Sequence, residues 1–265
     1  MPSTTSQLEE GRLLHWDVAS RDYLEHRPGY PDSYFELLQR LGVGLAGQDI
    51  LDLGAGTGAL TIPFARQGAR VVGVDLSAGQ IEAAREAAAR QGVAIDFKVA
   101  PAEVTGLPDH AFDVISASMC WGYFDVTKMV VEVPRMLRAG GRLLIGSLLW
   151  QPDGDAHGIA ARSNELIATY NPGIRTRERG VRGEIVPEWS RPAFRLQTYH
   201  DFTADITFTR ESWRGRLRAC RWTGAALPPA KTQAFDRDLA ALLERIAPPT
   251  FSIPHRIVIQ IFAVA

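Results

Sequence analysis

The sequence predicts an α/β protein built on a doubly wound, mostly parallel sheet of seven strands, and three observations carry that expectation. Between residues 50 and 149, short apolar runs alternate with longer amphipathic ones, the rhythm of strands joined by helical crossovers. The first run, Ile50 to Leu53, opens into Gly54, Gly56 and Gly58 at alternate positions, where backbone without Cβ atoms can turn tightly under a ligand. The second run, Arg70 to Asp75, ends in an acid at about 20 residues from the glycines, the span at which a carboxylate on the neighbouring strand reaches ribose hydroxyls.

The chain has 265 residues and is 46% hydrophobic, enough for one large domain or one domain with an insertion. Lys and Arg number 29 against 30 Asp and Glu, so the charge balance makes no general case for nucleic acid or an anionic membrane as partner. A small-molecule substrate fits better. Cys120 and Cys220 form no metal-ligand spacing and read as two reduced thiols. The first residues lack a signal-peptide pattern, and no apolar stretch approaches about 18 residues, so the expectation is a soluble, cytoplasmic protein.

Residues 1–30 precede the sheet as a segment rich in aromatic and cationic groups, among them Tyr23, His26, Arg27 and Tyr30. Arg27-Pro28-Gly29-Tyr30-Pro31 breaks any helix there, and Asp32 or Ser33 can cap a helix from Tyr34 to Leu41. Asp52, inside the first strand, needs a partner and is expected to point at loop amides, a water or a cation. A helix over Ala59–Gln67 tolerates Pro63 near its first turn. Ser77 caps a helix over Ala78–Gln91 that Gly92 ends. Strands three and four are Ala94–Val99 and Ala111–Ser116. A helix over Val126–Leu137, the connection Arg138–Gly141 and strand five, Arg142–Leu149, follow.

Past Trp150 the rhythm changes. Residues 151–197 read as an insertion with a helix over Gly158–Tyr170 and a basic loop at Arg175, Arg177, Arg179 and Arg182, and Glu165, Tyr170 and Asn171 are its candidate pocket residues. Thr198–Thr209 alternates as strand six. The arginine-laden run Arg210–Trp222 reads as a helix with Trp213, Leu217 and Cys220 turned inward and its cations in solvent. A helix over Phe235–Ile246 and an apolar strand, Ile257–Val264, able to return antiparallel to strand six, complete the sheet.

The pattern D-x-G-x-G-x-G at Asp52–Gly58 resembles motif I of the class I S-adenosylmethionine-dependent methyltransferases, small-molecule branch, and Phe112-Asp113-Val114-Ile115 is similar to a later stretch of the same family. The resemblance implies a Rossmann-like domain over residues 31–265 with S-adenosyl-L-methionine as cofactor, under an N-terminal lid of residues 1–30. It also implies cofactor contacts at Tyr23, Arg27, Asp52, Gly54, Ala55, Gly56, Gly58, Asp75, Leu76, Ala102, Glu103 and Ser118. Two departures stand out. Pro101 occupies the place where relatives carry an adenine-binding acid, leaving the Ala102 amide and Glu103 to serve. Relatives read C-W-H-W-F-D where this chain has Cys120-Trp121-Gly122-Tyr123-Phe124-Asp125, so a histidine is replaced by glycine and a second tryptophan by tyrosine.

Gly54–Ala59 also satisfies the G-x-G-x-x-G/A dinucleotide fingerprint. Asp52, the tight glycine spacing and the lack of a second βαβ half after strand five speak against NAD or FAD. For the reaction, the resemblance implies methyl transfer to a small acceptor, with Tyr23, Trp121, Tyr123 and Asn171 as the catalytic-side candidates, and no general base is evident. The second reading is a cyclase of the same fold, in which the cofactor's own amine closes azetidine-2-carboxylate and releases methylthioadenosine.

Overall fold

The computed structural model describes residues 6–9, 12–15, 22, 25–26, 28–172, 185–191 and 193–265. Strands β1 (Ser6–Glu9) and β2 (Arg12–His15) pair antiparallel, with Ser6 opposite His15. Helix α1 (Asp32–Arg40) starts after Pro31 and buries Tyr34, Phe35 and Leu38. There follow β3 (Asp49–Leu53), α2 (Thr61–Arg66), β4 (Arg70–Asp75), α3 (Ala78–Arg90), β5 (Asp96–Val99), β6 (Phe112–Ser118), α4 (Val126–Met136) and β7 (Leu137–Trp150). The remaining elements are α5 (Ile159–Tyr170), β8 (Phe194–Thr209), α6 (Arg210–Arg218), α7 (Pro229–Ile246) and β9 (Thr250–Val264).

The seven-stranded sheet runs β5-β4-β3-β6-β7-β9-β8, and the expected doubly wound topology is present. β3 pairs parallel with both β4 and β6, β4 with β5, and β6 with β7. The chain therefore leaves β3 toward one edge and later returns to its other side. Ligands of open α/β sheets bind at such a reversal, outside the carboxyl ends of the strands.

Local chemistry explains the element limits. The Ser77 hydroxyl accepts from the Gln80 amide and starts α3; Asp125 does the same for α4 through Thr127. α2 begins at Thr61 rather than Ala59 because Gly58, at φ +91°, is still in the turn. Arg138–Gly141 is no connection ahead of a strand but an irregularity inside β7: pairing jumps from Phe112–Leu137 to Val114–Arg142, with Gly140 at φ +78°. β8 begins at Phe194 and β9 at Thr250, both earlier than their apolar alternation suggested.

The chain divides into two units. One, here the glycine-loop unit, comprises residues 29–148, 181–202 and 257–265; the other, the arginine-helix unit, comprises 1–28, 149–180 and 203–256. In the first, Leu51, Leu53, Ile115, Ala117, Met129, Val133, Leu143 and Phe262 form the core. In the second, Trp213, Leu217, Phe235, Leu239 and Leu243 pack with Ile159, Ile167, Phe208 and Phe251.

The arginine helix departs from the solvated face expected of it. Trp213, Leu217 and Cys220 are buried as the spacing predicts. Arg216 is buried too, its guanidinium 4.7 Å above the Trp150 ring and donating to the Cys220 sulfur. Arg214 and Arg218 both bind Asp236 of α7, and Arg218 grips Asp22 with two bonds of 3.0 and 2.8 Å. Carboxylates drawn from elsewhere in the chain pair with Arg214 and Arg218, which composition of the helix alone does not reveal. Among the described residues, no helix is long and apolar enough to cross a membrane.

Candidate functional site

The site is built where β3, β4 and β6 end. Gly54, Gly56 and Gly58 have φ of +64°, +55° and +91°, conformations that favour glycine, so the turn takes the shape its composition predicts. The Gly56 amide donates to Asp75 Oδ2 and the Ser77 amide to Asp75 Oδ1, both at 2.9 Å. The Ala55 amide donates to the Val74 carbonyl. Asp75 thus ties the glycine turn to the end of β4.

Bare backbone also serves the protein's own packing. A Cβ on Gly54 would lie 2.7 Å from both Cβ and Sγ of Cys120, and 3.5 Å from the Phe124 ring. The Cys120 thiol donates to the Leu53 carbonyl at 3.1 Å. Burial pushes that thiol well above its ordinary pKa, and the charges of Asp52 and Asp75 add to the effect. Glycine at 54 therefore lets the segment from Cys120 to Asp125 lie directly against the turn.

Asp52, expected to point at loop amides, a water or a cation, finds two side-chain partners in hydroxyls across the sheet face. Its oxygens accept from the Thr61 and Ser116 hydroxyls at 2.6 and 2.7 Å, because the side chain of a strand residue points across the sheet face rather than along the chain. Burial raises its pKa to about 6, with the two hydroxyls opposing and the charge of Asp75 assisting.

The stretch past β6 starts under backbone tension: Met119 has φ +65°, rare for a residue with a side chain, and its amide donates to the Gly146 carbonyl. Trp121–Tyr123 form a single 3-10 turn. Trp121 packs against Phe124, with ring centres 6.0 Å apart, and against Trp189 at 4.8 Å. Its indole N–H is buried without a hydrogen-bond partner among the described residues. Nothing lies within 4 Å of a Cβ built on Gly122, so there is open space at this position. Glu103 accepts from the Asp125 amide at 2.8 Å, Ala102 is buried, and Leu76 and Tyr123 are half-buried.

The structure thus brings Gly54–Gly58, Asp75 and the Cys120–Phe124 segment together, with Ser118 at the end of β6. Asn171, expected beside the reacting groups, lies in the arginine-helix unit, buried, with its amide donating to the Trp222 carbonyl. Tyr23, Arg27 and the basic loop at 175–182 lie outside the described residues. Two residues entered no sequence-based site. Tyr30 reaches the Ser118 hydroxyl at 2.6 Å, and Trp189 backs Trp121. The prolines that flank Tyr30 were a signal for the first, since they fix the backbone on both sides of the ring; none pointed to the second.

Residues 51–145 match the methyltransferase domain family. An uncharacterised methyltransferase of Mycobacterium bovis is 33% identical over 164 residues, which cover 62% of this chain and 63% of that protein. A ubiquinone biosynthesis O-methyltransferase of Chelativorans sp. is 32% identical over 168 residues, 55% of this chain and 66% of that one. This chain thus spans less than two thirds of the length of these curated relatives. A solved, provisionally named type II methyltransferase of Anaeromyxobacter dehalogenans superposes with a TM-score of 0.64 over 89% of this chain and 97% of its own, at 24% identity, a likeness of fold.

Proposed function

Because this chain belongs to the class I S-adenosylmethionine-dependent methyltransferases, we propose that it transfers a methyl group to a hydroxyl of a small molecule. The observation that carries this reading is the Asp75 carboxylate, held by the Gly56 and Ser77 amides at the end of β4 beside the glycine turn. That arrangement fits a nucleoside, and Asp75, the glycine turn and Ser118 are the residues that would hold it. Bound there, S-adenosylmethionine supplies an electrophilic methyl group on a sulfonium.

The chain's part is orientation and exclusion of water. Trp121 and Phe124 supply electron-rich ring faces beside the turn, favourable to a dispersing positive charge. The open space at Gly122 leaves room for an acceptor. A hydroxyl acceptor is supported by the name of the Chelativorans relative, and the near-neutral charge balance agrees with a small partner.

Incubation with methyl-labelled S-adenosylmethionine and catechol should give S-adenosylhomocysteine and labelled methyl ether in equal amounts. Methylthioadenosine from S-adenosylmethionine alone would replace methyl transfer by cyclisation. Tight S-adenosylhomocysteine binding with neither product would make the chain a binding protein.

A further inference from the structure

Methyl transfer to a hydroxyl must also dispose of the proton which that hydroxyl carries. A row of polar groups in the glycine-loop unit is suited to it. Tyr30 stands between Pro28 and Pro31, its ring 4.3 Å from that of Tyr34 and edge-on to Phe35 at 6.5 Å. Its phenol oxygen is 2.6 Å from Ser118 Oγ. Gly146 pairs with Ser118 across β6 and β7, and a Cβ there would sit 2.4 Å from Ser118 Oγ and 2.7 Å from the Tyr34 hydroxyl. Those two hydroxyls therefore share one small space that glycine leaves clear. Tyr34 is fully buried, and its hydroxyl makes no hydrogen bond of normal geometry among the described residues.

One step back along β6, on the same face because strand side chains alternate, Ser116 donates to Asp52. Tyr30, Ser118, Tyr34, Ser116 and Asp52 thus line one face of a mostly apolar sheet, running from a half-buried phenol to a buried carboxylate. Apolar side chains would fill that face at lower cost, so the row calls for a purpose.

We propose, on the reading of methyl transfer to a hydroxyl, that Tyr30 is a catalytic residue that takes the acceptor's proton, and that Ser118, Tyr34 and one bridging water pass a proton on to Asp52. The acceptor O–H bond breaks as an O–H bond forms on Tyr30. The proton of Tyr30 moves to Ser118, that of Ser118 to Tyr34, and that of Tyr34 through the water to Asp52, which becomes a carboxylic acid. The acceptor oxygen bonds the methyl carbon, and the sulfur keeps the electron pair of the broken bond. After product release the proton returns outward along the same hydroxyls. Tyr34, Ser116 and Asp52 would be the partners of that water, and three polar groups suffice to hold one.

The electrostatics agree. Burial lifts Asp52 to about 6, so it can hold a proton near neutrality. Asp75, Cys120 and Tyr34 interact with it, and the last two stay neutral, both pushed well above their ordinary values by burial.

The test compares catechol with 4-nitrocatechol, whose hydroxyl is more acidic, in wild type and Tyr30→Phe at pH 7 and pH 9. The variant should lower kcat with catechol roughly 100-fold at pH 7, the scale of a lost general base. The defect should shrink about tenfold or more with 4-nitrocatechol and at pH 9, where less proton removal is left to do. S-adenosylhomocysteine affinity, read by calorimetry, should stay within about threefold of wild type, less than a typical hydrogen bond contributes. Should Tyr30→Phe fail to fold, Tyr34→Phe must show the same acceptor-dependent loss. An unchanged kcat, or an equal loss with both catechols at both pH values, overturns the proton relay while leaving methyl transfer intact. Failure of wild type to methylate either catechol overturns the hydroxyl reading, and the relay with it.

Discussion

Each unit of the molecule sets an aspartate among hydrogen-bond donors, one buried and one half-buried, and the two are driven in opposite directions. Asp52 of the glycine-loop unit accepts from the Thr61 and Ser116 hydroxyls, and burial still lifts it to about 6. Asp236 of the arginine-helix unit is also raised by burial, yet the guanidinium bonds of Arg214 and Arg218 outweigh this and hold it below its ordinary value. Neutral donors offset desolvation only in part, whereas two cations exceed it. The first carboxyl is left able to exchange a proton near neutral pH; the second is a fixed anion that ties α6 to α7.

The largest way to break the contrast is Asp236→Ala. Arg214 and Arg218, 26% and 18% exposed, would lose their shared anion, though Asp22 and Glu211 remain in reach. A loss of about 3 kcal/mol is expected, at the low end for a broken buried pair, read from urea unfolding at pH 7. A lowered pKa stabilises the fold above the unfolded carboxyl range, and that stability is lost as pH falls through the folded value. Wild type should therefore lose its advantage over the variant in acid. An advantage that persists in acid would show that Asp236 acts through packing.

Asp52→Asn should give the opposite slope. The folded pKa of about 6 lies above the unfolded value near 3.8, so between these the native state holds the proton that the unfolded state has released. Wild-type stability should fall relative to the variant as pH rises from 4 to 6, by about 2 to 3 kcal/mol in total. Parallel unfolding curves across that range would mean that Asp52 titrates normally.

The contrast also marks what the residues disclosed before any coordinates. The glycine-loop unit was legible because its information is local: Gly54, Gly56 and Gly58 must turn, and Asp75 closes its own strand. The parallel, doubly wound topology followed from the alternation of strands and helices. What could not be read were pairings across long separations, such as Asp52 with Ser116, Tyr30 with Ser118 and Trp121 with Trp189. The arginine helix departed from expectation for the same reason, since Asp22 and Asp236, which pair with its Arg214 and Arg218, lie outside it along the chain.

A smaller effect tests whether Asp75 belongs to the ligand or only to the turn. Asp75→Ala removes the acceptor for the Gly56 and Ser77 amides along with any ribose contact. S-adenosylhomocysteine should then bind with about 1.5 kcal/mol less free energy, roughly tenfold weaker by calorimetry. Unchanged affinity would confine Asp75 to holding the loop.

The smallest effect separates two buried indoles, one in each unit. Trp213 donates its N–H to Ser163 Oγ at 3.0 Å, whereas the Trp121 N–H is buried with no such partner among the described residues. A satisfied donor contributes about 1 kcal/mol, and an unsatisfied one subtracts a similar amount. Trp213→Phe should therefore cost about 1 kcal/mol or more, by lost bond and lost volume together. Trp121→Phe should fall within about 0.5 kcal/mol of wild type in the ligand-free protein, because relief of the stranded donor offsets the smaller ring. Thermal unfolding of both variants, with and without S-adenosylhomocysteine, reads the difference. A cost at Trp121 that equals the cost at Trp213 without ligand would show that its N–H already has a partner. A cost that arises only with ligand would mean that the nucleoside supplies the acceptor.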